Sequence, residues 1–404
     1  MTRTLVVVGH GMAGHRLAEE VLTGDRDGGW RVVVLAEEPR PAYDRVALSS
    51  LLDGATPGDL GLAGRDFLTD PRLELRLGTT VTDVDRQART VTCSDGARVG
   101  YDALVLATGS RPFVPPVPGH GLPGCFVYRT VEDIAAIRAA AVPGLDAVVI
   151  GGGLLGLEAA GGLRALGMRP HVVEMAPRLM ALQVDEGGGR VLAGAVEELG
   201  VRVHCGAVLR SVDAGADGRV RGVTLDDGTV VEAPLVVFSA GVRPRDDLAG
   251  PLGLARGERG GFLVDDRCRT RDERVWAVGE CAAVQGRCHG MAAPGYRMAE
   301  SVAGQLLRGD GPPFPGADTS ARLKLLGVEV ASFGDAHTRT EGAMEFIRDD
   351  LESGTYAKVV LAPDGRTLLG GVLAGDARSY PALRALVGLE LSASPDQLLR
   401  SGHE

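Results

Sequence analysis

A short β-branched strand, a glycine-rich turn and an amphipathic helix follow one another twice along this 404-residue chain. In the first copy, Leu5-Val6-Val7-Val8 leads into Gly9-His10-Gly11-Met12-Ala13-Gly14 and then into the stretch Leu17 to Leu22. A second apolar run, Arg31 to Leu35, ends in Glu37 and Glu38. In the second copy, Ala147 to Ile150 leads into Gly151-Gly152-Gly153-Leu154-Leu155-Gly156 and the helix Leu157 to Leu166. The run Pro170 to Val173 then ends in Glu174. Apolar runs of this kind suit strands of a parallel sheet buried on both faces. Each copy therefore reads as a β-α-β unit, and two copies predict two nucleotide-binding domains of one architecture.

The glycines carry a chemical expectation. In a G-x-G-x-x-G turn the first glycine permits the tight bend, the second lets the backbone approach a pyrophosphate, and the third lets helix pack on strand. The helix opening, Met12-Ala13 or Leu154-Leu155, offers free N–H groups and a partial positive charge to the phosphates. The predicted cradles are Gly9, Gly11 and Gly14, then Gly151, Gly153 and Gly156. A single fingerprint is weak, but each copy here lies between a strand and a helix and is closed by an acid. Glu37 and Glu174 sit where a carboxylate accepts hydrogen bonds from ribose hydroxyls. At the second turn that charge favours NADH. Arg178, four residues on, is placed to bridge to a 2′-phosphate, so NADPH stays open. Glu38 reads as a solvated loop charge.

Composition narrows the class. The net charge of −10 gives no nucleic-acid surface and no basic run for a membrane. No apolar stretch approaches the ~18 residues of a membrane helix, and the apolar start is broken at once by Gly9, His10 and Gly11, unlike a signal peptide. The expected setting is the cytoplasm. The six cysteines, at 93, 125, 205, 268, 281 and 288, form no C-x-x-C pair and read as buried thiols. Cys281, Cys288 and His289 are close in sequence, but the other ligands of a zinc or iron–sulfur site are missing, so no metal is expected.

Elsewhere, apolar strands end in turns at Thr108-Gly109, Ala240-Gly241 and Gly279-Glu280. Val91 to Val99, with Asp95-Gly96, and Val220 to Val231, with Asp227-Gly228, predict small antiparallel meanders. Gly309 to Gly316 reads as a linker. Beyond it, a small α+β domain is predicted, with strands Lys324 to Ser332, Tyr356 to Leu361 and Thr367 to Leu373, and a helix near Tyr380 to Val387.

With these turns, the sequence resembles the two-dinucleotide-binding-domain flavoprotein oxidoreductases. Ala107-Thr108-Gly109 and Ala240-Gly241 look like the family's paired turns, and Val278-Gly279-Glu280 like its second FAD motif, with Glu280 in place of the usual aspartate on the ribityl chain. The resemblance assigns the first unit to FAD and the second to NAD(P)H. It implies an α/β fold of two doubly wound, glutathione-reductase-like dinucleotide-binding domains plus a small C-terminal α+β domain. Its expected parts are an FAD domain over 1–112, an NAD(P)H domain over 113–235, the rest of the FAD domain over 236–318, and a C-terminal interface domain over 319–404.

The match narrows further. Tyr43-Asp44-Arg45-Val46-Ala47-Leu48-Ser49-Ser50, Gly279-Glu280-Cys281, Ala293-Pro294-Gly295-Tyr296 and Val330 to Asp335 resemble the N-terminal flavoprotein module of assimilatory NAD(P)H-nitrite reductase large subunits. So do Gly370-Gly371-Val372-Leu373 and Gly375-Asp376-Ala377. The large subunits continue into a cysteine-rich iron–sulfur segment and a sirohaem region, and this sequence stops at Glu404 before either. It is therefore not expected to reduce nitrite by that chemistry. In the related rubredoxin and ferredoxin reductases a lysine pairs with a glutamate beside the flavin. Here Ser50 stands at the lysine position, while Glu158 matches the glutamate and is implied to lie near the nicotinamide. Arg45, Val81, Arg129 and Pro294 are implied FAD contacts on the same grounds. His10 and His289 are expected to be structural.

The implied activity is hydride transfer from NADH to flavin N5, with the electrons forwarded to a separate iron–sulfur or haem protein. Two other readings stay in view: direct reduction of a nitro compound, quinone or oxygen, and a non-enzymatic flavin-bound sensor or scaffold. Disulfide chemistry is not expected, since Tyr43 to Leu52 holds no cysteine. A homodimer is left open.

Overall fold

A computed structural model describes residues 2–318, 320–325, 327–350 and 352–400. It divides into two compact units. The first joins Met1–Arg111 to Val242–Ala317, and the second joins Pro112–Gly241 to Asp318–Glu404.

The first unit is built on a five-stranded parallel sheet in the order Val275–Ala277, Ala103–Leu106, Arg3–Val8, Trp30–Leu35, Leu73–Arg76. Leu5, Val6, Val7 and Val32 to Val34 are fully buried, as β-branched runs covered on both faces require. The helices Met12–Gly24 and Ala292–Arg308 pack on one another, and Met298, Ala299 and Val302 join the same core. The meander expected around Asp95-Gly96 is present, and it gains a third strand, Val81–Asp85.

The second unit repeats the plan. Its parallel sheet runs Arg202–Cys205, Arg169–Glu174, Asp146–Ile150, Val236–Phe238, Cys125–Val127. An antiparallel meander, Leu209–Ala214, Val220–Leu225 and Val230–Glu232, covers part of it. The C-terminal segment forms a five-stranded antiparallel sheet in the order Ala321–Leu325, Val328–Gly334, Leu368–Gly375, Thr355–Leu361, Met344–Asp350. The helix Tyr380–Ala385 packs against it.

Two expectations for this segment change. The strand expected over Lys324 to Ser332 is a hairpin of two strands, with Leu326 outside the described residues. Gly327 bends the chain there at φ +91, a region open to glycine at little cost. The strand Met344–Asp350 was not foreseen, because its mixed run MEFIRDD alternates poorly and lies at the sheet edge, with most residues exposed. The helix Glu186–Glu198 packs on the antiparallel sheet through two glycines near its start, Gly187 and Gly188. Glycine inside a helix costs about 1 kcal/mol relative to alanine, so close packing has to compensate.

Candidate functional site

The two glycine turns have nearly the same backbone. Gly11 precedes its helix at φ −80, ψ −172, and Gly153 precedes its own at φ −81, ψ −175. Gly9 and Gly151 adopt φ +107 and +116, and a Cβ on either would strike the carbonyl of Ala107 or of Ser239. A Cβ on Gly14 or Gly156 would strike the carbonyl oxygen of the first glycine of its own turn. Those four glycines have packing reasons. Gly11 and Gly153 have none, because their φ and ψ suit any residue and nothing lies within 4 Å of an added Cβ.

Open space therefore sits in front of each helix start. Neither helix has a side-chain N-cap, so the N–H groups at Met12-Ala13 and Leu154-Leu155 keep no intrahelical acceptor. Such an arrangement fits a phosphate group in each turn, because backbone donors and helix dipole converge where a side chain is excluded.

In the first unit more elements gather at that turn. A Cβ on Gly279 would come 3.1 Å from Cβ of Ala13, and one on Gly295 would come 3.3 Å from it. The second helix start, Met291 to Gly295 with Pro294 buried, thus meets the first at Ala13, and it also lacks a side-chain cap. Gly295 was missed as a site residue; its cue was a glycine at the fourth position of a helix, directly after a proline. Glu280, in the short turn Gly279–Cys281, accepts a hydrogen bond from Ser110 Oγ at 2.8 Å. Thr108 Oγ1 donates to Arg245 O at 2.5 Å, and Arg245 N–H donates to Gly109 O at 2.9 Å. Arg245 also pairs with the exposed Glu37, two residues past the end of the second strand. Arg245 had no motif to announce it. A dinucleotide with adenosine at Glu37 and pyrophosphate at Gly11 fits this set of donors and open space.

Several expected residues are engaged within the fold. Glu38 is not a solvated charge: it pairs with Arg45 and accepts from Tyr43 Oη at 2.8 Å. The Arg45 guanidinium lies over the Tyr43 ring at 4.8 Å, so the segment is held as a folded triad. Partners brought in by the segment around Tyr43, itself bridged to Gly61, override the loop reading. Ser50 Oγ donates to Ala47 O at 2.7 Å. Val81 is buried in the core of its unit at the start of its strand. Arg129 N–H donates to Asp133 Oδ2 at 3.1 Å, just before the capped helix Val131–Ala140.

His10 is buried against His15 and Phe67, with its Nδ1 accepting from Ala42 N–H at 3.2 Å. Burial, with the neighbouring His15, lowers its pKa to about 3. His289 lies against the Phe314 ring.

In the second unit Glu174 holds the turn itself. Its two oxygens accept from Gly152 N–H at 2.6 Å and Ala176 N–H at 2.7 Å. Each oxygen keeps a second lone pair for a ribose hydroxyl. Arg178 Nε donates to Val184 O at 3.0 Å, which turns the guanidinium onto its own loop. Gly241 O accepts from Phe113 N–H at 2.8 Å. Glu158, one turn into the helix Leu154–Ala165, has its Oε2 buried with no hydrogen-bond partner. Burial pushes its carboxyl up to about 7. No group of three or more His, Cys, Asp or Glu side chains among the described residues is arranged to hold a metal. No helix of the described residues is long and apolar enough to cross a membrane.

Comparison with known proteins agrees with this geometry. Residues 3–300 match the family model described as pyridine nucleotide-disulphide oxidoreductase, and residues 320–390 match that of the rubredoxin NAD+ reductase C-terminal domain. The nitrite reductase [NAD(P)H] large subunit of Klebsiella oxytoca is 47% identical over 98% of this chain and 41% of its own length. This chain thus spans less than half of that relative. Rhodocoxin reductase of Rhodococcus erythropolis is 30% identical over 98% of this chain and 91% of its own. The solved ferredoxin reductase for the CYP199A2 system of Rhodopseudomonas palustris superposes with a TM-score of 0.86 at 26% identity, covering 99% of this chain and 100% of that one.

Proposed function

The chain belongs to the pyridine nucleotide-disulphide oxidoreductase family, and we propose that it is an FAD-dependent NADH oxidoreductase serving as an electron-transfer component for a separate iron–sulfur or haem protein. One observation carries the reading: Gly11 and Gly153 are glycines without a packing reason, each facing open space at an uncapped helix start. Two such uncapped glycine turns in one chain suit two dinucleotides better than one.

FAD, when held in the first unit, would supply the redox chemistry that links a two-electron donor to one- or two-electron acceptors. The chain's own residues bind and orient. In the first unit Met12, Ala13 and the start of Ala292–Arg308 present N–H groups, while Glu37 takes the ribose hydroxyls and Glu280 the ribityl side. In the second, Leu154 and Leu155 face a pyrophosphate, and Glu174 faces the adenosine ribose. Glu158 offers a carboxyl that holds its proton up to about pH 7, a hydrogen-bond donor for the nicotinamide end.

Thiol chemistry is disfavoured in spite of the family's name. The six cysteines are free, and burial raises the pKa of every one. A thiol held protonated is a poor nucleophile. The named activities of rhodocoxin reductase and of the biphenyl dioxygenase ferredoxin–NAD(+) reductase component of Paraburkholderia xenovorans, also 30% identical, support a protein acceptor.

The test supplies FAD-loaded protein with NADH and cytochrome c, with and without a [2Fe–2S] ferredoxin or a rubredoxin as mediator. A rise of tenfold or more in cytochrome reduction with a mediator is expected. Turnover that is fast with menadione alone and unmoved by any iron–sulfur protein contradicts the proposal.

A further inference from the structure

Three consecutive glycines open the helix Glu186–Glu198, and each faces a different neighbour. A Cβ on Gly187 would enter the Tyr356 ring, and one on Gly188 would come 2.9 Å from Cγ1 of Val372. A Cβ on Gly189 would stand 2.9 Å from both Cβ and Cδ of Arg178. The same helix end is tied to the antiparallel sheet through Asp185. Its side chain accepts from Gly188 N–H at 3.1 Å and from Tyr356 Oη at 2.7 Å, and it lies 3.0 Å from the buried Lys358 Nζ. The sheet thus sets where Gly189 stands, and Gly189 sets where the Arg178 stem lies.

With its stem against Gly189, Arg178 sends its guanidinium to loop carbonyls. Nε donates to Val184 O at 3.0 Å, and Nη2 reaches Ala181 O at 3.5 Å. Four residues earlier, Glu174 is pinned by Gly152 N–H and Ala176 N–H, one to each oxygen. A carboxylate held at both oxygens cannot swing aside for an incoming phosphate. It accepts from a 2′-hydroxyl through its spare lone pairs and repels a 2′-phosphate.

We infer that Gly189 is a specificity-determining residue: by letting Arg178 lie along the 181–184 loop, it leaves the fixed Glu174 carboxylate without a cation to offset it, so the second turn takes NADH and rejects the 2′-phosphate of NADPH. The inference rests on the reading of that turn as the nicotinamide-dinucleotide site. It gives the C-terminal sheet a part in coenzyme choice, since Tyr356 and Val372 seat the helix that carries Gly189. Alanine at 189 crowds the stem of Arg178, frees its guanidinium from the loop and makes it available to a phosphate. The helix itself gains from the change, since alanine is the better helix former.

The experiment measures Kd for NAD+ and NADP+ by calorimetry on FAD-loaded protein, in the wild type, Gly189→Ala, Arg178→Ala and the double variant. These two ligands differ only in the 2′-phosphate. The wild type is expected to prefer NAD+ at least tenfold. Gly189→Ala narrows that preference at least fivefold, and the double variant restores it. Arg178→Ala alone leaves the wild-type ratio in place, so the inference stays open to refutation even where Gly189→Ala fails to fold. A fall in NADP+ affinity relative to NAD+ in Arg178→Ala overturns the inference, because the arginine then already serves the phosphate. An unchanged ratio in a folded Gly189→Ala, or a gain that survives in the double variant, overturns it too. Wild type that holds flavin but binds neither NAD+ nor NADP+ instead sinks the reading of the second turn.

Discussion

Gly11 and Gly153 share one backbone conformation to within a few degrees, and neither would meet an obstacle if it carried a side chain. Their identity is thus set by something outside the folded chain. Gly9 and Gly151, two residues earlier, are fixed from within by a positive φ and a carbonyl wall.

That contrast separates binding from stability. Gly11→Ala is expected to leave the melting of the apoprotein within about 0.5 kcal/mol of wild type while weakening FAD at least tenfold. Gly153→Ala does the same to NADH and spares FAD. Gly9→Ala, which meets the Ala107 carbonyl at φ +107, loses folded protein instead. Thermal melts paired with FAD and NADH titrations distinguish these outcomes. Equal destabilisation by all three variants contradicts the division.

Glu158 gives a pH signature. The folded protein holds its proton up to about 7, against an ordinary value of 4.5, because burial disfavours the carboxylate. Stability is therefore unaffected below about 4.5 and declines as pH rises through 7, where the unfolded chain is ionised and the folded one resists. Allowing for partial exposure, the loss amounts to about 2 kcal/mol. Glu158→Gln removes it, so the variant is the more stable at pH 8 and matches wild type at pH 4. Urea unfolding of FAD-loaded protein at both values is the check, and parallel curves contradict it.

The Lys358 ammonium is 3% exposed and lies 3.0 Å from Asp185 Oδ2 and 3.3 Å from Glu345 Oε1. Burial opposes the Asp185 charge, but hydrogen bonds from Tyr356, Lys358 and Gly188 N–H outweigh it and hold the carboxyl below its usual range. Lys358→Met strips the cation from a half-buried carboxylate and is expected to cost about 3 kcal/mol. The loss is present at neutral pH and shrinks in acid, once Asp185 takes up a proton. Hydrogen exchange along Thr355–Leu361 and the start of Glu186–Glu198 should quicken together. Unchanged exchange in both segments counts against the network.

Much of this was legible in the residues. Each parallel sheet announced itself through runs such as Leu5 to Val8 and Ala147 to Ile150, because a strand buried on both faces tolerates little else. The glycine turns were legible too, since glycine spacing is a local property. What stayed hidden was set by distant partners. Glu38 reads as a loop charge until Arg45 and Tyr43 fold back on it. Arg178 reads as a phosphate ligand until Gly189, eleven positions on, is seen against its stem. Arg245 and Ser110 support the first turn through contacts of long sequence separation that no motif records. The edge strand Met344–Asp350 was lost because an edge position asks little of its side chains.

The most direct measurement mixes anaerobic, FAD-loaded protein with NADH in a stopped-flow spectrometer and follows the flavin absorbance. Bleaching within seconds, first order and saturable in NADH, is the result expected of a chain with one cradle for each dinucleotide. Purified protein that takes up no FAD, or loaded protein whose colour NADH leaves untouched, contradicts the account at its root.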